Sequence, residues 1–501
     1  MGLNGNTRID RYLRYAVYAC FLGFYCAVAL AIPYTHDDWE WGIDMGIQFL
    51  LTASVNSRYV GNSLVLLMTR SEIVKTLIMG FGFFLLPYCM VQVSSHNRGR
   101  EPRENMLLFL LCNVLILSMD RRIWQQTYGW VSGYANFGVS AVLMVINLGI
   151  GLRIFDVHQE AGKTPGWKLA AVFLLSLASQ LFLENLAIFM MLFYAAMLVM
   201  GCLLNRRWDR KLAVMLTGAV LGTVILFSND LYGTLWSTGE AISGYRNMYI
   251  NASSSLGSII EKCWEQAVKI PYKLLENNLV LILSVCAILC GLLIKSGNMS
   301  KGTKTVLILV HVLLAVYMVC NYFLGLVDQE LYRFLMNMLL YVTVGADVVF
   351  LYRGESRKRM KYLTVWLSVP GVILPLIVTS EQSPRLFFTS NAIVCLFAAM
   401  QMRELMGRIT LREKRGILCS IFLAAVILLA GTAKVYLDIG VFKYRQHIRI
   451  GEAKEHHLDT LLLPPCPHEE YIWNPDPYDA GRIRSFKEFY GLPQDVMIEQ
   501  G

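Results

Sequence analysis

Charge is scarce in this chain. Asp, Glu, Lys and Arg make up 16% of its 501 residues, against roughly 25% in an average soluble protein. Its 12 cysteines include no CxxC pair, and no Walker A string, GxGxxG, GxSxG or HExxH occurs. Nucleotide hydrolysis, dinucleotide binding, serine-hydrolase chemistry and zincin chemistry therefore lack their usual residues. No heptad run or short internal repeat is visible. Cys20, Cys26, Cys286 and Cys290 sit in apolar segments and read as small core residues. Cys263 and Cys466 fall in segments expected outside the membrane, where a disulfide is open to them. His447, His456, His457 and His468 cluster near Glu469 and Glu470 without metal-ligand spacing, so no metal and no obligatory cofactor is expected.

What is present is apolar sequence. Hydrophobic residues make up 55% of the chain. Runs of about 18 to 22 apolar residues recur, long enough to span a bilayer as helices. The formal charge of +9 is no nucleic-acid signal, because Lys and Arg concentrate in short loops such as SSHNRGREPRE, NRRWDRK and RGESRKRMK, where they set topology. Arg8, Arg11 and Arg14 precede the first run, and many spans follow it, so it reads as a span rather than a cleaved signal. Alternating the spans predicts an all-α polytopic bundle of about 13 transmembrane helices over residues 1–437. The N-terminus is inside and the C-terminus outside. A first outer loop covers 33–70 with interfacial helices, a second covers 229–277, and an extracytoplasmic tail covers 438–501.

The string PYTHDDWEWG follows the first run and places Asp37 beside Asp38. Paired carboxylates at an apolar boundary are costly. One can act as a general base for an acceptor hydroxyl while its neighbour tunes it; equally, an Asp here can cap the next helix. Arg58 in NSRYVGN, Arg385 and Arg333 sit at expected outer ends of spans, against the positive-inside bias. Each can grip a phosphate or a lipid headgroup. Arg246, flanked by Tyr245 and Tyr249, is a weaker candidate of the same kind. Trp130, Tyr134 and Asn136 in YGWVSGYANF can stack on a sugar and bond its hydroxyls, or form an interfacial belt. Glu184 and Asn185 mark the tip of a helical hairpin, an acid in an otherwise apolar stretch.

HDDWEWG followed by NSRYVGN resembles the GT-C superfamily of integral membrane glycosyltransferases, in particular the bacterial O-antigen-conversion glucosyltransferases. YGWVSGYANF is similar to a W-x-x-G-x-x-N-Y pattern in that branch, with Phe137 where Tyr is commoner. SPRLFF and the terminal SFKEFYGLP also look familiar. The resemblance implies a GT-C-like bundle in a bacterial plasma membrane, a polyprenyl-phosphate sugar donor and a glycan or lipid-linked acceptor at the outer leaflet. It implies a catalytic carboxylate in the first outer loop, Asp37 or Asp38, with Asp37 favoured as the base. Arg58, Arg385 and Arg333 would meet the donor phosphate. Trp39, Trp130, Tyr134, Asn136, Glu184 and Asn185 would line the sugar and acceptor site. Three other readings compete: a transporter or flippase of lipid-linked glycans, an O-antigen polymerase or ligase, and a non-catalytic assembly partner.

Overall fold

The computed structural model describes residues 7–95, 102–156, 164–206, 208–240, 248, 250–275, 278–297, 299–325, 327, 329–379, 382–478 and 480–501. Arg246, Tyr245 and Tyr249 lie outside these. The first long helix, α1 (Thr7–Ala31), runs into the acid pair. Three short helices then fill residues 33–70: α2 (Asp38–Gly42), α3 (Asp44–Thr52) and α4 (Tyr59–Thr69). Ser71 caps the start of α5 (Glu72–Ser94) by accepting from the Val74 amide, and α5 packs along α1. Next come α6 (Pro102–Leu117), α7 (Arg121–Thr127) and a short α8 (Val131–Gly133). A π-helical turn at Tyr134–Gly138 leads into α9 (Val139–Gly151).

The hairpin α10 (Gly166–Gln180) and α11 (Glu184–Asn205) is followed by α12 (Arg210–Phe227), α13 (Asp230–Thr238) and α14 (Leu256–Leu275). Then α15 (Leu279–Lys295), α16 (Lys301–Leu324), α17 (Glu330–Leu351) and α18 (Ser356–Ile373) complete the periphery. At the centre lies α19 (Phe388–Met406). All 19 of its residues are buried, the polar Asn391, Gln401, Arg403 and Glu404 among them. A turn of 3₁₀ helix at Pro384–Phe387 delivers the chain to it.

Among the described residues, ten helices are long and apolar enough to cross a bilayer, or eleven if α14 and α15 count as one. Apolar length in the sequence alone suggests about 13. The difference lies in α6, α10 and α15, which have only 16, 15 and 17 residues.

The end of the chain opens on the longest helix among the described residues. Thr410 and Glu413 form a capping box, and α20 (Leu411–Glu455) then runs for 45 residues. At 1.5 Å per residue that is roughly 68 Å, about twice the hydrocarbon core. It passes straight through residue 437. Beyond it, β1 (Thr460–Leu463) pairs in parallel with β2 (Met497–Gln500) around α21 (Ala480–Tyr490). This small sheet is the main exception to an all-α architecture among the described residues. Cys263 and Cys466 are both free, so no disulfide joins them.

Candidate active site

Three features aim the acid pair. His36 adopts a left-handed backbone, φ 55°, a conformation costing on the order of 1 kcal/mol in a non-glycine residue. It turns the chain between Tyr34, whose hydroxyl donates to Met68 O at 3.0 Å, and α2. The two aspartates then diverge. Asp38 is fully buried. Its Oδ2 accepts from the Thr35 amide at 3.0 Å. Its Oδ1 accepts from the Ser132 amide at 2.9 Å and the Ser132 hydroxyl at 2.5 Å. Burial, then the charge of Asp37, push its pKa up to about 7 against those donors. Asp37 keeps 28% of its side chain exposed. Its Oδ1 accepts from Trp130 Nε1 at 2.9 Å, and His36 Nδ1 lies 3.4 Å away.

The π turn after α8 is the spine of the site. Such turns recur at functional sites, where they interrupt the regular helical register. Trp130 holds Asp37, and Ser132 holds Asp38. Asn136 Nδ2 donates to Ser132 O at 3.1 Å, while its buried Oδ1 has no hydrogen-bond partner. A Cβ at Gly61 of α4 would meet that oxygen at 2.1 Å, so only glycine lets α4 approach. Arg385 completes the cluster from the far end of the sequence. Its guanidinium carbon lies 5.2 Å from the Trp130 ring centroid, 5.7 Å from that of Phe137 and 6.0 Å from that of Trp473, distances suited to cation–π attraction.

Trp473 is a site residue that sequence reasoning missed. The tail returns across α7: Gln125 Nε2 donates to Glu469 O and Ile472 O at 2.7 and 3.2 Å, and the Trp473 amide donates to Gly129 O at 3.2 Å. A Cβ at Gly129 would sit 1.8 Å from Tyr471 O. The docked Trp473 ring lies 6.1 Å from Trp130 and 6.0 Å from His36. A lone tryptophan in the polar, Pro-rich string WNPDP was the available signal.

Arg58 and Glu184 form a separate unit. Arg58 Nε and Nη2 donate to Glu184 Oε1 and Oε2 at 3.1 and 2.8 Å, and the Tyr232 hydroxyl donates to Oε1 at 2.8 Å. This bidentate pair ties α4 to α11 and α13, so two of Arg58's nitrogens are engaged by protein.

Several expected ligand contacts are placed in packing instead. Trp39 is fully buried, edge-on to Phe486 of α21 at 5.1 Å, and its ring has no open face for a sugar. Asn185 Nδ2 donates to Val372 O of α18 at 3.0 Å. Tyr134 is buried against Phe83 at 4.6 Å. Arg333 stands in the first turn of α17, a helix whose main neighbours are α14, α16 and α18, away from α2 and α8.

A cavity lies on the side of Tyr34. It measures about 890 Å³ between α1 and α20 and is walled by Phe24, Val28, Leu437 and Val441. Arg70, Glu72, Lys443 and His447 line it too, and it reaches Tyr34 and Phe489. Among the described residues no group of three or more His, Cys, Asp or Glu is arranged to hold a metal. No family model matches this chain, and no curated protein matches it.

Proposed function

We propose that the chain is a membrane glycosyltransferase of GT-C type. It moves a sugar from a polyprenyl-phosphate donor to a cell-surface glycan or lipid-linked acceptor at the outer leaflet of a bacterial plasma membrane. One observation carries the reading: the part-exposed Asp37 carboxylate is fixed by Trp130, over whose ring the Arg385 guanidinium lies. An acid for the acceptor and a cation for the donor phosphate thus share one aromatic support.

In this mechanism Trp130 Nε1 pins Asp37 Oδ1 and leaves Oδ2 for the acceptor hydroxyl. The hydroxyl gives its proton to Asp37 as its oxygen attacks the anomeric carbon. The bond to polyprenyl phosphate breaks, and Arg385 meets the charge that develops on the leaving phosphate. No cofactor is called for. Asp38 is a positioning residue: two bonds from Ser132 lock α2 to α8, and a third from the Thr35 amide holds the turn before α2. Trp473 offers ring surface to the sugar. The cavity between α1 and α20 suits an isoprenoid chain entering from lipid. Counting α6, α10 and α15 as short spans gives thirteen crossings, with the N-terminus inside and the tail outside. The test is release of labelled sugar from a polyprenyl-phosphate hexose by the purified protein.

One observation favours the transporter reading. His311 of α16 and Asp347 of α17 are fully buried and hydrogen-bonded to each other inside the bundle, and intramembrane ionisable pairs often serve transport. That reading requires vesicle-to-vesicle or leaflet-to-leaflet movement of a lipid-linked glycan that Asp347→Asn abolishes and Asp37→Asn spares.

A further inference from the structure

The end of the bundle that carries the basic loops holds a cleft with no part in the transfer. Four helices frame it: the last turns of α5 and α9 and the first turns of α10 and α12. It measures about 560 Å³. Its deep wall is apolar, made by Cys89, Val93, Ile146, Ile150 and Val172. Gly149 belongs to that wall; a Cβ there would meet Val93 Cγ2 at 2.5 Å, so α5 and α9 close the back of the cleft tightly. Its mouth carries Arg153, Lys168 and Lys211, with Trp167 beside them.

Among the described residues that line the cleft, the charges are of one sign. No carboxylate lines the cleft among the described residues. The described acids nearest in sequence are Asp209 and Asp156, both held by protein groups. Asp209 caps α12 by accepting from the Lys211 and Leu212 amides at 2.9 and 3.3 Å. Asp156 pairs with Lys361 at 3.1 Å. Trp167 is 70% exposed, where an indole anchors at a membrane interface. The short α10, 15 residues or roughly 22 Å, is less than the roughly 30 Å hydrocarbon core. A bilayer thins against such a helix, which brings headgroups down to Trp167 and Lys168.

We infer that this cleft binds one anionic glycerophospholipid of the leaflet on the basic-loop side. The phosphate lies among Arg153, Lys168 and Lys211, and the upper acyl chains lie along Val93, Ile146 and Ile150. Cations clustered at the mouth select an anionic headgroup over a zwitterionic one, and the apolar wall selects a lipid over a free anion. The inference depends on the bundle spanning a bilayer and is independent of the transferase reading.

The test uses the full-length protein in detergent micelles. Its Tm is followed as phosphatidylglycerol, phosphatidylcholine or inorganic phosphate is added. Phosphatidylglycerol raises Tm with saturation at one lipid per chain, and the other two leave it unchanged. The double variant Lys168→Gln/Lys211→Gln needs roughly twenty-five-fold more phosphatidylglycerol for the same shift, about fivefold per lysine. Ala171→Phe fills the cleft without altering its charge and loses the shift as well, so a folding defect in one variant does not stand in for the result. Equal shifts with phosphatidylcholine, a shift with phosphate alone, or an undiminished phosphatidylglycerol response in both variants overturns the site.

Discussion

Asp37 and Arg385 are 348 positions apart in the chain and meet at a single side chain. The Trp130 indole donates to Asp37 Oδ1 at 2.9 Å, and the Arg385 guanidinium carbon lies 5.2 Å from the centre of the same indole. The ring holds acid and cation on one support.

Arg385→Lys tests the cation. Lysine keeps the charge but lacks the flat fork that lies over an indole. Transfer is expected to fall at least tenfold, mainly through a higher KM for the donor, while the protein elutes and melts as wild type does. Initial rates over a range of donor concentrations separate KM from kcat.

Trp473→Ala tests the returning tail. The ring is only half-buried, so its loss costs little stability. Sugar stacking is worth on the order of 1 kcal/mol, and the expected effect is a five- to tenfold weaker use of donor or acceptor. Gly129→Val, by contrast, blocks docking of the tail backbone at Tyr471 and removes the same contact indirectly, with a larger loss.

The Arg58–Glu184 pair is structural in this mechanism. Glu184→Gln leaves a half-buried guanidinium with a weaker partner and is expected to cost about 2 kcal/mol, read by denaturant or thermal melting. Tyr232→Phe removes one bond to the same carboxylate and costs about 1 kcal/mol. If Arg58 instead bound the donor phosphate, Glu184→Gln would raise donor affinity without lowering stability.

Asp38 gives a pH signature. Its folded pKa, raised to about 7, exceeds the ordinary aspartate value of about 3.9. The unfolded chain therefore releases this proton first. The contribution of Asp38 to stability is fully present at low pH and falls as pH rises from about 4 through about 7. Tm measured across that window should decline more steeply in wild type than in Asp38→Asn, and the two slopes should match above about pH 8, where the aspartate is ionised in both states.

Much of this site is legible in the chain, and the failures share a cause. Two adjacent carboxylates at the end of an apolar run stand out because an apolar boundary penalises them there. Arg385 stands out because it lies at a span end away from the basic loops. The division of labour within the pair does not show, since it depends on Ser132, 94 residues away. Trp39 and Asn185 illustrate the converse error. An aromatic or an amide near an interface suits a ligand and a neighbouring helix equally well, and here Phe486 and the Val372 carbonyl claim them. The extension of α20 past residue 437 is hidden because polarity rises there while helix propensity does not fall. The capped start at Thr410 is readable, but no Pro signals a stop before Glu455.

The most direct measurement compares wild type with Asp37→Asn on one labelled polyprenyl-phosphate hexose, with acceptor glycan present and the folded fraction fixed by gel filtration. Wild type is expected to transfer the sugar, and the variant to do so at a rate at least about a hundredfold lower, the scale of a lost general base. Undiminished transfer by Asp37→Asn would contradict the assignment of that carboxylate as the base.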